Sequence, residues 1–200
     1  ALRKKADIAA ALLAAGAVVD IYTCAMLGDI DALETMLEDA TLVNAQDPSE
    51  DFSPATPLYH AVCGKQAAAV DLLLDRGADV EQHSVQLLTL AARRNALPIA
   101  KTLLARGATA RDCSDLLYGV VDAGAGEWAT LLIEHGADAS DIGVRGRAMV
   151  EFPDVAAMAL DRGATPTGLI PTCNGNNGNK GDHPEYAQAL LDSGAEPNAQ

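Results

Sequence analysis

The side chains that could first be considered for chemistry are four histidines and four cysteines in a chain of 200 residues. His60 and Cys63 are spaced so that a helix would place both on one face, where they could share a metal ion. Two ligands do not make a metal site, and no third ligand is near them in sequence. We therefore interpret His60 as a surface histidine beside a small thiol, and we expect no metal.

Catalytic signatures are absent from the sequence. It contains no Gly-x-Ser-x-Gly motif, no phosphate-binding loop and no His-Glu-x-x-His motif. The insertion 174–182 is rich in Gly and Asn and superficially similar to a calcium loop. Counted from Asn174, however, positions one, three and five carry no carboxylate, which calcium binding at such a loop requires. We expect a flexible loop there, no cofactor and no enzyme activity.

A repeat in the sequence predicts the helices on which these residues lie. Six short apolar runs each end at a glycine: Gly16, Gly77, Gly107, Gly136, Gly163 and Gly194. From Gly77 onward the gaps are 30, 29, 27 and 31 residues, and the first gap of 61 is about two periods. Apolar residues recur three, four, seven and eight places before each glycine, which indicates one face of a helix. Each glycine ends its helix in the left-handed conformation, and Ala40 takes this place in the second unit.

A second, shorter helix is predicted in each repeat. Its clearest example starts at Thr56, which can cap a helix, followed by Pro57 at the first helical position. The weaker counterparts are Ile21–Leu27, Val85–Arg93, Asp115–Val121, Val144–Val150 and about Thr167–Cys173. Small residues recur where these helices must approach their neighbours closely: Ala25, Ala61, Ala91, Gly119 and Ala148.

The unit at 56–80 resembles the ankyrin repeat, through Thr56-Pro57-Leu58, Ala61, Val70, Leu73-Leu74 and Gly77-Ala78-Asp79-Val80. The family pattern has His where this chain has Tyr59, and His60 follows one place later. The resemblance implies an all-α solenoid of about 5–6 stacked helix-turn-helix units with projecting hairpin loops. It also implies a curved surface of inner helices and loop tips, and a role in binding other proteins.

These patterns predict a single domain over 1–200. It begins with an outer half-repeat at 2–18, has a long loop at 44–55 and carries the insertion 174–182. The repeats are expected at about 20–43, 56–80, 85–110, 115–139, 144–165 and 167–200.

Charge limits the class of partner. The formal net charge is −14 and the pI is about 4.4, which argues against nucleic acid and favours partners with a basic surface. Eight acidic and no basic residues lie from Asp29 to Asp51, whereas five basic and no acidic residues lie from Arg93 to Arg111. These runs are either solvated helix faces or a bipolar surface that orients a partner.

Cysteine usage and hydropathy bear on location. The four cysteines form no Cys-x-x-Cys pair and follow the repeat, as expected of buried or half-buried thiols in a reducing compartment. No stretch approaches 18 apolar residues, and the first residues make a poor signal peptide. We therefore expect a cytoplasmic protein without a membrane span.

Candidate binding residues come from aligning the inner helices on their small residue. The two preceding positions should face the open side: Thr23/Cys24, Tyr59/His60, Thr89/Leu90 and Leu117/Tyr118. Because Tyr and Arg often anchor interfaces, the predicted partner-binding residues are Phe52, Tyr59, His60, Arg93, Arg94 and Tyr118. Trp128 falls at an outer-helix position, where we expect it to pack between repeats.

Two functions remain open at this point. The first is a non-catalytic protein-binding scaffold or regulatory module that acts as a monomer. The alternative is a structural protein that associates head to tail, because the chain begins on an outer helix, stops at Gln200 and shows no strongly polar caps.

Overall fold

A computed structural model of the protein describes residues 19–49, 55–140, 143–144, 151–166, 188 and 191–192. In these residues the chain forms helix pairs in the predicted order, which confirms an all-α repeat fold. The helices are α1 (Ile21–Leu27), α2 (Ile30–Met36), α3 (Pro57–Gly64), α4 (Ala67–Asp75), α5 (Ser84–Arg93), α6 (Leu97–Ala105), α7 (Ser114–Asp122), α8 (Gly126–Glu134) and α9 (Pro153–Asp161).

The chain divides into two compact units, Ala1–Ala108 (unit 1) and Thr109–Gln200 (unit 2). In unit 1, the inner helices α1, α3 and α5 pack side by side, and the outer helices α2, α4 and α6 form a second row. In unit 2, α7 pairs with α8, and α9 packs on α8. The single domain predicted over 1–200 stays a prediction, and the half-repeat 2–18 and the insertion 174–182 lie outside the described residues.

Helix starts follow the capping chemistry of the sequence. The Thr56 hydroxyl accepts a hydrogen bond from the Tyr59 backbone N–H at 3.3 Å, and Pro57 occupies the first helical position, as predicted. Asp20 and Asp29 cap α1 and α2 in the same way, through carboxylate oxygens that accept from Thr23 N–H and Ala32 N–H. Each cap satisfies a backbone donor that has no partner within its own helix.

Outer helices end at the predicted glycines. Gly77, Gly107, Gly136 and Gly163 have φ of +89°, +107°, +92° and +96°, which is the left-handed conformation. The second unit differs, because α2 ends at Met36 and a 3₁₀ turn follows at Ala40–Leu42, capped by the Asp39 side chain. This turn removes the need for a glycine at position 40.

A second left-handed position lies between the two helices of each pair. It is occupied by Gly28, Lys65, Asn95 and Gly124, with φ of +76°, +59°, +51° and +67°. This turn was not predicted from the repeat, although Gly, Asn and Gly at near-regular spacing are a signal for it.

The core of unit 1 lies between the two rows of helices. Leu33, Leu73 and Leu103 on the outer row are fully buried. Ala25, Ala61 and Ala91 on the inner row are also fully buried, as expected where helices approach closely. A Cβ on Gly64 would collide with the carbonyl oxygen of Met26, so this glycine permits the close approach of α1 and α3.

Arginines at the ends of outer helices link neighbouring repeats. Arg76 reaches Glu34 on α2 at 4.0 Å, and Arg106 forms a 2.7 Å ion pair with Asp75 on α4. In unit 2, Arg162 donates to the carbonyl of Ile133 at 3.2 Å. In each case the residue before the glycine reaches back one repeat.

Two residues in unit 2 differ from their predicted roles. Val144 was expected to begin an inner helix, but Gly143–Val144 is a short strand (β1) that pairs in parallel with Thr165–Pro166 (β2). The rest of that predicted helix, 145–150, lies outside the described residues. Gly119 was expected at a close helix contact, but it is exposed and a Cβ there would meet no atom within 4 Å. Trp128 is buried on α8, in agreement with the predicted packing role.

Candidate functional site

The base of the long loop 44–55 is closed by hydrogen bonds in unit 1. The Asp47 backbone N–H donates to the Ala55 carbonyl at 2.8 Å, and the Ala55 N–H donates to the Gln46 side chain at 3.0 Å. Asn44 bridges to the next hairpin, since its amide donates to the Gly77 carbonyl at 3.2 Å and accepts from the Asp79 N–H at 2.8 Å. The loop therefore leaves from a fixed base, whereas Phe52 lies outside the described residues.

His60 is buried, so its interpretation as a surface histidine was wrong. Its Nε2 lies 3.4 Å from Asp47 Oδ2 and makes no hydrogen bond within the described residues. Its ring contacts Tyr22 from α1 at a centroid distance of 5.5 Å and Tyr59 at 6.0 Å. Sequence spacing alone could not place it there, because Asp47 approaches through the loop base.

Asp47 is the acidic member of this cluster. The hydroxyl and the backbone N–H of Ser49 donate to its carboxylate at 2.6 and 2.9 Å, which lowers the pKa of Asp47. The nearby His60 lowers that pKa further. Burial raises the pKa of the Tyr22 phenol, and the charges of Asp47 and Asp20 add to this effect. The cluster joins α1, α3 and the base of the loop, and its contacts hold these three elements together.

Each inner helix of unit 1 leaves one face open. On α1 the exposed positions are Thr23 and Met26, and on α3 the half-buried positions are Tyr59 and Cys63. On α5 the corresponding side chains are Gln86, Thr89 and Arg93. These seven residues, spaced three or four apart along each helix, form the inner face of unit 1.

Only one residue of each predicted outward-facing pair is outward. Thr23, Tyr59 and Thr89 are at least partly exposed, but their partners are buried: Cys24, His60 and Leu90. On α7 the order reverses, with Leu117 buried and Tyr118 exposed. The cause is the alignment of α7 on α5. Both helices begin at a serine, and when Ser114 is aligned with Ser84, Val121 and not Gly119 is the counterpart of Ala91. Gly119 then lies on the open side of the helix.

Arg93 and Arg94 are both exposed at the end of α5, as predicted. The Arg94 guanidinium donates to Cys63 Sγ across to α3 at 2.7 Å. Tyr59, Arg93 and Arg94 therefore belong to unit 1, whereas Tyr118 lies in unit 2 on a face with Asp115 and Asp122. Their role in binding stays a prediction.

The hairpin loops of unit 1 enclose an open depression of about 320 Å³. All of its lining residues have polar or charged side chains: Asn44, Gln46, Thr56, Asp79, Gln82 and His83. Asp79 gives it a negative group, while the N-terminal ends of α3 and α5, at Thr56 and His83, give it positive partial charge.

The described part of the chain forms neither a metal-binding cluster nor a membrane-spanning helix. There, no three His, Cys, Asp or Glu side chains cluster closely enough to hold a metal ion. Cys24, Cys63 and Cys113 are free thiols, and burial raises the pKa of both Cys24 and Cys113 to about 11. No described helix is long and apolar enough to cross a membrane.

Comparison with known proteins gives one family. The family model for ankyrin repeats (three copies) matches residues 21–115. The structure is similar to an ankyrin repeat domain from Acinetobacter baumannii AYE, with a TM-score of 0.63 and 22% identity, covering 88% of this chain and 98% of that one. It is also similar to the human ASB11 ankyrin repeat domain, with a TM-score of 0.58 and 18% identity, covering 92% and 87% of the two chains.

No curated protein matches the chain by sequence. At these identities the structural likeness shows the fold alone. The matched segment begins with α1 and includes the Thr56–Pro57 helix start and the glycines at 77 and 107, which carried the resemblance in the sequence. The helix pairs of residues 21–115 therefore match ankyrin repeats, and the fold of the chain is that of ankyrin repeat domains.

Proposed function

We propose that this chain is a non-catalytic protein-binding module whose inner face and loop tips in unit 1 contact another protein. Ankyrin repeats generally mediate protein–protein interaction, which supports the class of function. The observation that carries the proposal is the open inner face of unit 1, where Tyr59 and Arg93 stand on rigid, closely packed helices.

Tyr59 is suited to anchor a partner because its position is already fixed. It follows the capped start of α3, and its ring contacts the buried His60 in an edge-on arrangement at 6.0 Å. A half-buried aromatic ring held in this way loses little conformational entropy on binding. The buried His60 packs against Tyr59 on the side away from the open face. We do not expect His60 to contact the partner directly.

The arginines of the inner face and those of the outer row differ in whether they form ion pairs within the chain. The outer-row arginines Arg76 and Arg106 are engaged with Glu34 and Asp75 of neighbouring repeats. Arg93 on the inner face forms no ion pair with any described residue, so binding a partner would break no internal pair there. The net charge of −14 steers a partner with a basic surface toward the chain over longer distances.

The free thiols of Cys24, Cys63 and Cys113 suit a reducing compartment, and we place the module in the cytoplasm on that basis. A fluorescently tagged protein imaged in cells tests this placement. Confinement to an oxidising compartment would contradict it.

The experiment that tests the function is affinity capture followed by a binding titration. Proteins retained by the wild-type chain are identified, and their affinities are measured for Tyr59→Ala, Arg93→Ala and a control, Lys101→Ala on the exposed side of α6. The inner-face variants should weaken binding at least about tenfold, as expected of interface anchors. Loss of binding in Lys101→Ala to the same degree, or unchanged binding in both inner-face variants, would refute the proposal.

Solution mass measured by light scattering against concentration separates the module from self-association. A constant mass of 20.7 kDa is the expected result for a monomeric binding module. A mass that rises with concentration would instead support head-to-tail assembly.

A further inference from the structure

The C-terminal ends of the three inner helices of unit 1 are tied together along one edge. Gln66, just after α3, donates to the Met26 carbonyl at the end of α1 at 3.3 Å, and Gly64 allows this approach. Arg94 at the end of α5 donates to Cys63 near the end of α3 at 2.7 Å. Met26, Cys63, Lys65, Arg93 and Arg94 therefore form a continuous strip, which we call the C-terminal strip.

The cations of the C-terminal strip are exposed and have no acidic partner within the described residues. Lys65, Arg93 and Arg94 all lie on the surface, and the ion pairs of the outer row do not include them. Cations at a helix C-terminus commonly interact with the last carbonyl groups. Arg94 does not use its guanidinium in that way, because its Nη2 is directed across the surface to Cys63.

Apolar surface adjoins these cations at the other end of the strip. Met26, in the last turn of α1, is 39% exposed. A methionine side chain is flexible and polarisable, and it adapts to varied apolar partners. The strip therefore changes from apolar at α1 to cationic at α3 and α5.

We propose that the C-terminal strip docks an extended segment of a partner protein that carries a carboxylate side chain and an apolar side chain. This inference rests on the proposed binding function and names the chemistry of its ligand. The carboxylate lies over Arg93 and Arg94, whose guanidinium groups bind carboxylates in a bidentate manner. The apolar side chain lies over Met26.

The geometry sets the spacing and the charge of that segment. The Arg94 guanidinium lies at Cys63 on α3, the helix next to α1. Packed helices are about 8–10 Å apart, so Met26 and this guanidinium are separated by roughly 8–10 Å. An extended chain covers this distance in about three residues. Because the whole chain has a net charge of −14, a long acidic run would be repelled, and the segment carries an isolated carboxylate.

The test is a selection of phage-displayed random dodecapeptides on the wild-type protein. Selected peptides are synthesised, and their affinities are measured by calorimetry for Arg93→Ala/Arg94→Ala and for a control with the same loss of charge, Lys101→Ala/Arg106→Ala. We expect the peptides to share an Asp or Glu about three positions from an apolar residue. We also expect a loss of at least about tenfold in affinity in the first variant, with a change below about twofold in the control.

The outcomes separate this inference from the proposed function. Peptides without a carboxylate, or peptides that bind Arg93→Ala/Arg94→Ala as tightly as wild type, overturn the inference. If such peptides still lose affinity in Tyr59→Ala, the proposed function stands. If no peptide is selected, or if none of the inner-face variants affects binding, both fail. Circular dichroism of each variant checks that the fold is retained.

Discussion

Replacing Leu103 by alanine tests the packing of unit 1 most directly. Leu103 is fully buried on α6, which packs against α4 and α5. The change removes three carbons, and at about 0.8 kcal/mol per buried CH₂ the lost transfer free energy is roughly 2.4 kcal/mol. A residual cavity adds to this where the neighbours do not relax, which gives an expected loss of about 2–4 kcal/mol in the free energy of unfolding.

Urea unfolding followed by circular dichroism measures this loss. Leu97→Ala is the matched control, because Leu97 lies on the same helix but is only half-buried, and its loss should be about 1 kcal/mol or less. Trp128 is the only tryptophan and lies in unit 2, so its fluorescence reports on that unit separately. A loss below about 1 kcal/mol for Leu103→Ala, or a loss equal to that of Leu97→Ala, would refute the assignment of Leu103 to the core of unit 1.

Three further predictions concern a glycine pair, a thiol and a carboxylate. Gly64→Ala should destabilise the fold by about 2 kcal/mol or more, because its Cβ would collide with backbone, whereas Gly119→Ala should stabilise it by about 0.5–1 kcal/mol, because a helical glycine with open space is replaced. Among the cysteines of the described ranges, Cys63 should be alkylated first at pH 8, since it alone is half-exposed. Asp47, whose pKa is lowered in the folded state, contributes stability at neutral pH that should be lost in acid below about pH 4, and Asp47→Asn should reduce this loss.

Each of these has a clear measurement. Chemical denaturation compares the two glycine variants, and a Gly119→Ala variant as unstable as Gly64→Ala would contradict the assigned environments. Peptide mapping by mass spectrometry, in a Cys173→Ser background, gives the order of alkylation, and modification of Cys24 before Cys63 would be inconsistent with the burial. Urea midpoints between pH 3 and 7 give the acid dependence, and identical slopes for wild type and Asp47→Asn would remove Asp47 as a cause.

The outer helices could be predicted well from the sequence because most of them end in the same backbone conformation. A helix that stops in the left-handed conformation favours glycine, so Gly77 and Gly107 marked both the period and the buried face three and four residues earlier. The inner helices were harder to align, since Gly119 was treated as a packing residue. The serine that begins both α5 and α7 would have given the correct register.

The candidate site was predicted less completely than the fold. The exposure of Arg93 and Arg94 was predicted correctly because charged residues at a helix end are exposed almost regardless of tertiary detail. His60 was assigned wrongly because its environment depends on Asp47, which is brought near by the closed base of a loop with an unusual length. Contacts of that kind depend on loop geometry and have no periodic signal in the sequence.

The closed base of the long loop has a consequence for evolution and for protein engineering. Gln46 and Asp47 both bond to Ala55, and Asn44 is fixed separately to the next hairpin, so the start of α3 is held independently of the residues enclosed by that base. A segment bounded in this way can change its length and composition at little cost in free energy. The stretch between Ser49 and Ala55 is therefore the natural place to graft a foreign recognition peptide, with the repeats acting as an unchanged carrier.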